Sequence, residues 1–215
     1  MGTLKVDNIQ KRDGTALITD GAASTSLLTE TALRNAGIGA ILLTDTTISN
    51  GATSVVFGPL TTYDKYVVDF IDVNHSTDGG AILRARFGTD ASTFNTTSNY
   101  STAVEVLVFD DASAVDARNS ASQIDMTYDS NNQWGGANNQ DALEGQAMLF
   151  GKQRSTANAY PSILWQLRGS HSTANGATHF GGAGYLKVSG TFTHIQFYLS
   201  TGNFTRGKMK LYGVS

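Results

Sequence analysis

"YVVDFIDVNHSTDGGAILRARF", residues 66–87, decides the fold class. Tyr66, Val68 and Phe70 alternate with Val67, Asp69 and Ile71. That is a period of two, the spacing at which successive side chains reach opposite faces of a strand. Asp78-Gly79-Gly80 then turns the chain, because glycine reaches backbone conformations closed to other residues. Beyond the turn Leu83, Ala85 and Phe87 face one way, and Arg84 and Arg86 the other.

The same pattern extends in both directions. Upstream, Ala40–Leu43 is a short apolar run. Asn50-Gly51 lies between Thr46–Ile48 and Ser54–Phe57, which predicts a hairpin. Downstream, Glu105–Phe109 is apolar on both faces after its first residue and is expected in the middle of a sheet. Residues 110–123 are small and polar and read as a loose stretch. Ile124, Met126 and Tyr128 alternate. Ala147–Phe150, Ile163–Leu167 and Tyr185–Val188 fit strands. Ile195, Phe197 and Leu199 alternate with Gln196 and Tyr198, and Met209 and Leu211 with Lys208, Lys210 and Tyr212. Roughly eight to ten short strands with glycine-rich turns predict an all-β, antiparallel β-sandwich of jelly-roll-like topology.

One short helix or linker is expected over 24–38, with Ser24 or Ser26 as cap and Gly37 as stop. Before it, Leu4 and Val6 alternate with Lys5 and Asp7, Asp13-Gly14 offers a turn, and Ala16–Thr19 resume an apolar run. Two short strands alone are marginal in water, so this piece needs a surface to lie on. The expected organisation is an N-terminal segment over 1–23, the helix or linker over 24–38, and a sandwich over 39–215.

Composition narrows the function. The 215 residues are 40% hydrophobic and only 15% charged, with a net charge of -3. Usual proteins carry about a quarter charged residues; here Thr, Ser, Asn and Gly supply the polar surface. No basic stripe marks a nucleic-acid partner. No apolar run approaches the roughly 20 residues of a membrane-spanning helix, so no membrane insertion is expected. The chain has no cysteine, which removes disulfides and thiolate metal sites.

Candidate sites are few. His75, His171, His179 and His194 lack metal-ligand spacing, and no cofactor is expected. Asp110, Asp111 and Asp116 cluster without calcium-loop spacing and read as a solvated turn. The glycines of "HFGGAGY" (179–185) are not followed by a helix, so a tight turn is expected there and not a phosphate loop. The sequons at Asn74, Asn95, Asn99 and Asn203 are what a Ser/Thr-rich chain produces by chance. Trp134 sits in the polar run "DSNNQWGGANNQD" (129–141). An exposed indole flanked by Asn131, Asn132, Asn138 and Asn139 would suit a sugar ring, with an apolar face and polar edges. The competing reading makes Trp134 a plug at the end of the sandwich.

Both ends carry a resemblance. "LKVDNIQKRDGTALITDG" (4–21) resembles the N-terminal segment of tailed-phage virion proteins, especially from marine phages. "GKMKLYGVS" (207–215) is similar to the closing strand of phage fibre and receptor-binding sandwiches. The style of "YVVDFIDV" (66–73) and "DGGAILRARFGTD" (78–90) fits the same group. The resemblance implies a virion location, attachment to other virion proteins through the N-terminal segment, self-association as a trimer, and contact with a host-surface glycan. It carries no depolymerase motif, so the chain is not expected to be an enzyme. A head decoration or head fibre without ligand is the alternative, and a polysaccharide depolymerase the third.

Overall fold

The computed structural model describes residues 8–10, 16–19, 22–23, 39–77, 81–108, 114–127, 134, 142–150, 160–170, 177–188 and 190–214. The chain forms two compact units, Met1–Ile41 with Ser215, and Leu42–Val214. In the first, β1 (Asn8–Gln10), β2 (Ala16–Thr19) and β3 (Ala22–Ala23) make a small antiparallel sheet in the order β1-β2-β3. Ile9 pairs with Ile18, and Thr19 with Asn8 and Ala22. Of the two extended pieces expected around a turn, Ala16–Thr19 is β2, while Leu4–Asp7 lies outside the described residues and β1 falls just after it. The Asp13-Gly14 turn and the helix or linker over 24–38 lie outside the described residues.

The remaining strands are β4 (Ala40–Thr47), β5 (Ser54–Phe57), β6 (Lys65–His75), β7 (Leu83–Gly88), β8 (Tyr100–Val108) and β9 (Ala114–Ala121). They continue with β10 (Ile124–Asp125), β11 (Leu143–Phe150), β12 (Ser162–Ser170), β13 (Ala177–Leu186), β14 (His194–Leu199) and β15 (Phe204–Val214). They form two antiparallel sheets of unequal size, ordered β10-β7-β14-β5 and β4-β15-β6-β11-β12-β13-β8-β9. Among the described residues there is no helix. The alternation in the sequence places the core. Tyr66, Val68 and Phe70 on β6 and Ile195, Phe197 and Leu199 on β14 are buried, as are Met209 and Leu211 on β15. The sheets meet through these residues. The Phe70 and Phe197 rings stand edge-to-face, 5.2 Å apart at 90°. Each fully buried aliphatic or aromatic side chain contributes about 1.5–3 kcal/mol.

Three expectations need correction. Asn50-Gly51 does turn the chain, with Gly51 at φ 88 and Ala52 N–H donating to the Ser49 carbonyl at 3.1 Å. It does not close a hairpin: β4 belongs to the large sheet and β5 to the small one. The turn is held by β15, where Gly51 N–H donates to the Phe204 carbonyl at 2.9 Å and Ile48 N–H to that of Gly207. Second, "HFGGAGY" is not a turn but the middle of the ten-residue strand β13. Gly182 and Gly184 make room for neighbours on the inner face. A Cβ on Gly184 would lie 2.7 Å from the Ile124 side chain. Third, the loose stretch 110–123 contains a full strand, β9, paired with β8 through Ala103–Ala117 and Glu105–Val115. Asp116 is therefore in a strand, bonded to Arg118 at 2.7 Å, while Asp110 and Asp111 lie outside the described residues.

Candidate binding face

Trp134 is the first residue to place. It is 0% exposed, its ring edge-on to the buried His75 at 4.4 Å and 78°. Gly169 makes room for it, since a Cβ there would sit 3.2 Å from Cδ1. A buried indole offers no face to a sugar, so the exposed-platform reading of Trp134 is corrected to the plug reading. Asn131, Asn132, Asn138 and Asn139 lie outside the described residues.

The small sheet's outer side carries a charged network. Asp125 is 2% exposed and accepts from two arginines, Arg84 Nε at 2.8 Å and Arg118 Nη1 at 2.7 Å. Arg118 stands on β9 of the other sheet, so this carboxylate ties the two sheets at one edge. Thr102 adds a hydroxyl donated to the Asp125 carbonyl at 3.3 Å. Arg86 lies 4.6 Å over the Tyr198 ring. Burial pushes the Tyr198 hydroxyl above its ordinary pKa, against the pull of Arg86 and Arg84. The arginines are already satisfied here, so the network reads as a clamp. Among the described residues no three His, Asp or Glu are placed to hold a metal.

The large sheet's outer face differs. Alternation that buries one side of each strand delivers the other side to solvent. Here that second side includes Ile71, Leu107, Val115, Met148, Leu164 and Tyr185, all exposed, with Val115 at 70%. Scattered exposed apolar residues are ordinary, but several large ones on one sheet face mark an interaction surface. In the middle of the face lies an open hollow of about 550 Å³. Its floor is Gly181, Gly182, Ala183 and Ala103, and its walls include Leu164, Gln166, Glu105 and His179. The His179 ring leans over Gly181, 3.2 Å from where a Cβ would stand. Small residues on β13 and β8 therefore create a depression beside the ridge of Met148 and Leu164, which are directly paired on β11 and β12.

The charges on this face are sorted by position. Along one row of cross-strand partners Lys210 on β15 lies next to Asp69 on β6, and Glu105 on β8 lies opposite Gly181. Lys210 also reaches Asp45 at 3.4 Å. Glu105, Glu144 and Arg168 have no ion-pair partner within 4.0 Å among the described residues. Sequence reasoning missed this face. The signal was present in Met148, Leu164 and Leu107, apolar at positions that alternation assigns to solvent. Compared with known proteins, the chain matches no family model, no curated sequence and no solved structure.

Proposed function

We propose that the protein is a structural component of a virion, of the tail-fibre or receptor-binding type. Its N-terminal unit attaches it to other virion proteins, and its sandwich is the exposed module. The observation that carries this reading is the coincidence of sequence and architecture. The segment that resembles phage attachment sequences, residues 4–21, lies within a small compact unit, Met1–Ile41 with Ser215. Its strands are only three, four and two residues long, shorter than the usual length of about five or six, which suits a piece completed by a neighbouring protein. The chain acts as a binding and building element, without catalysis. Antibody labelling of purified particles tests the reading. Label on intact particles is expected, with its loss when residues 1–22 are deleted. Protein found only in the soluble fraction sinks it.

Contact with a host glycan is the second reading. With Trp134 buried, its support moves to Tyr160 and Tyr185, both 40% exposed and stacked 6.1 Å apart. Their ring faces are of the kind on which sugar rings pack. Binding on a glycan array that survives Tyr160→Ala would remove this pair from the site.

A further inference from the structure

We infer that the outer face of the eight-stranded sheet is a self-complementary interface, on which two copies of this chain pack face to face about a twofold axis. The axis runs along the strands, between β11 and β12. In a twofold interface a patch must complement itself, each residue meeting a partner that meets it in return. With four strands on either side of the axis, β11 faces the second copy's β12, β6 faces its β13, and β15 faces its β8. Because such an axis preserves height along the strands, each cross-strand row faces the same row of the other copy.

The rows match under this operation. In the first, Met148 faces Leu164, both exposed and apolar, on either side of the axis. Farther out in the same row, Val67 faces Ala183, and Tyr212 faces Ala103. The bulky side chains of β6 and β15 thus enter the hollow that glycine and alanine leave over β13 and β8. In the second row Lys210 faces Glu105. In the third Glu144 faces Arg168. Opposite charges meet in both rows, and each pair occurs twice in the dimer.

Size agrees. Eight strands spaced about 4.8 Å apart, each about eight residues long at about 3.3 Å, give a face of roughly 900 Å². Stable interfaces bury about 800 Å² on each partner. Packed sheets lie about 10 Å apart, a gap these side chains fill. A threefold assembly makes heterologous contacts and does not pair one patch with itself, so this inference departs from the trimer expected above. The inference stands whether or not the chain is carried on a virion, but the second copy covers Tyr185, so this dimer and a glycan bound at Tyr160 and Tyr185 exclude one another.

Charge exchange in the full-length protein tests it. Sedimentation equilibrium should give a mass twice the 22.8 kDa of the chain. Glu105→Lys alone and Lys210→Glu alone should each weaken dimerisation by about tenfold or more, since like charges then oppose. The double variant should recover most of that loss, because each Lys210–Glu105 contact is rebuilt with its signs exchanged. Glu105 is exposed and Lys210 half-buried beside Asp45, and circular dichroism checks that each variant is folded. A monomeric or trimeric wild type overturns the inference. So does a double variant that dimerises no better than the singles.

Discussion

Gly182 sits directly across from Trp165 in the β12–β13 pair, and the indole occupies the place where a side chain at 182 would go. A Cβ there would come within 2.3 Å of the Trp165 Cζ2 and 2.4 Å of the Ala103 carbonyl oxygen. One obstacle is a buried ring and the other is backbone, so neither yields cheaply. Gly182→Ala is expected to cost about 1–3 kcal/mol, the usual range for overfilling a packed core. Ala183→Ser, one residue along and exposed, should stay within about 0.5 kcal/mol. Urea melts of both variants decide the matter; equal midpoints would place the indole elsewhere.

The closing strand gives a second contrast. Met209 and Leu211 are buried, and Lys210 is half-buried beside Asp45. Leu211→Ala should cost about 2–5 kcal/mol through lost burial and a residual cavity. Lys210→Ala loses a surface ion pair worth about 0.2–1 kcal/mol. Both are measured at one low protein concentration, where association does not add to stability. Comparable losses would mean that β15 faces the other way.

Alkaline stability should depend on Tyr100. Its side chain is buried, with the Phe87 N–H donating to its oxygen at 2.9 Å and its hydroxyl donating to the Asn95 carbonyl at 3.2 Å. Burial raises its pKa from 10.0 to about 12. The folded state thus favours the neutral phenol. That contribution is whole below pH 10 and is lost as the pH rises through 10 toward 12. Tyr100→Phe should cost about 1–3 kcal/mol at neutral pH, by stranding buried partners, and should flatten the alkaline loss. Tyrosinate absorbance followed against unfolding checks both. A Tyr100 that ionises near pH 10 in folded protein contradicts its burial.

Asp125 should matter more than its single charge suggests. Replacing it with Asn keeps the shape but leaves Arg84 and Arg118 without their shared carboxylate. Breaking a fully buried pair costs roughly 3–5 kcal/mol. Both arginines reach solvent, at 22% and 38% exposure, so about 2–3 kcal/mol is expected. Chemical denaturation measures it, and a change below 0.5 kcal/mol, the level of ordinary surface substitutions, would show that water replaces the clamp.

The strands that were legible in the sequence are those with a clear inside and outside. Ile195, Phe197 and Leu199 declare their face, and so do Leu83, Ala85 and Phe87. β13 was hidden because Gly181, Gly182 and Gly184 carry no side chain to alternate. The reason for Gly182 is Trp165, which lies on another strand. β9 was hidden because Ala, Asn and Ser do not distinguish a strand from a loop. The Asn50-Gly51 turn was legible, but not its use: turn chemistry is local, while the choice of sheet is set by Phe204 and Gly207 far along the chain. Trp134 left two readings open for the same reason. Its sequence neighbours are amides, and its partner His75 lies on β6.

The pairing of β15 with β6 has a consequence for synthesis. Phe70 waits for Met209, 139 residues later in translation (209 − 70), before that flank of its strand is covered. At about 5–20 residues per second the delay is roughly 7–28 s. Until then the growing chain holds a long, apolar strand with an open edge, the feature most prone to wrong pairing. The sheet can be completed only after β15 leaves the ribosome, so chaperone binding should be strongest on nascent chains that contain β6 and lack β15. Ribosome-bound chains halted before residue 204 should be cut readily by protease, whereas the released protein should resist.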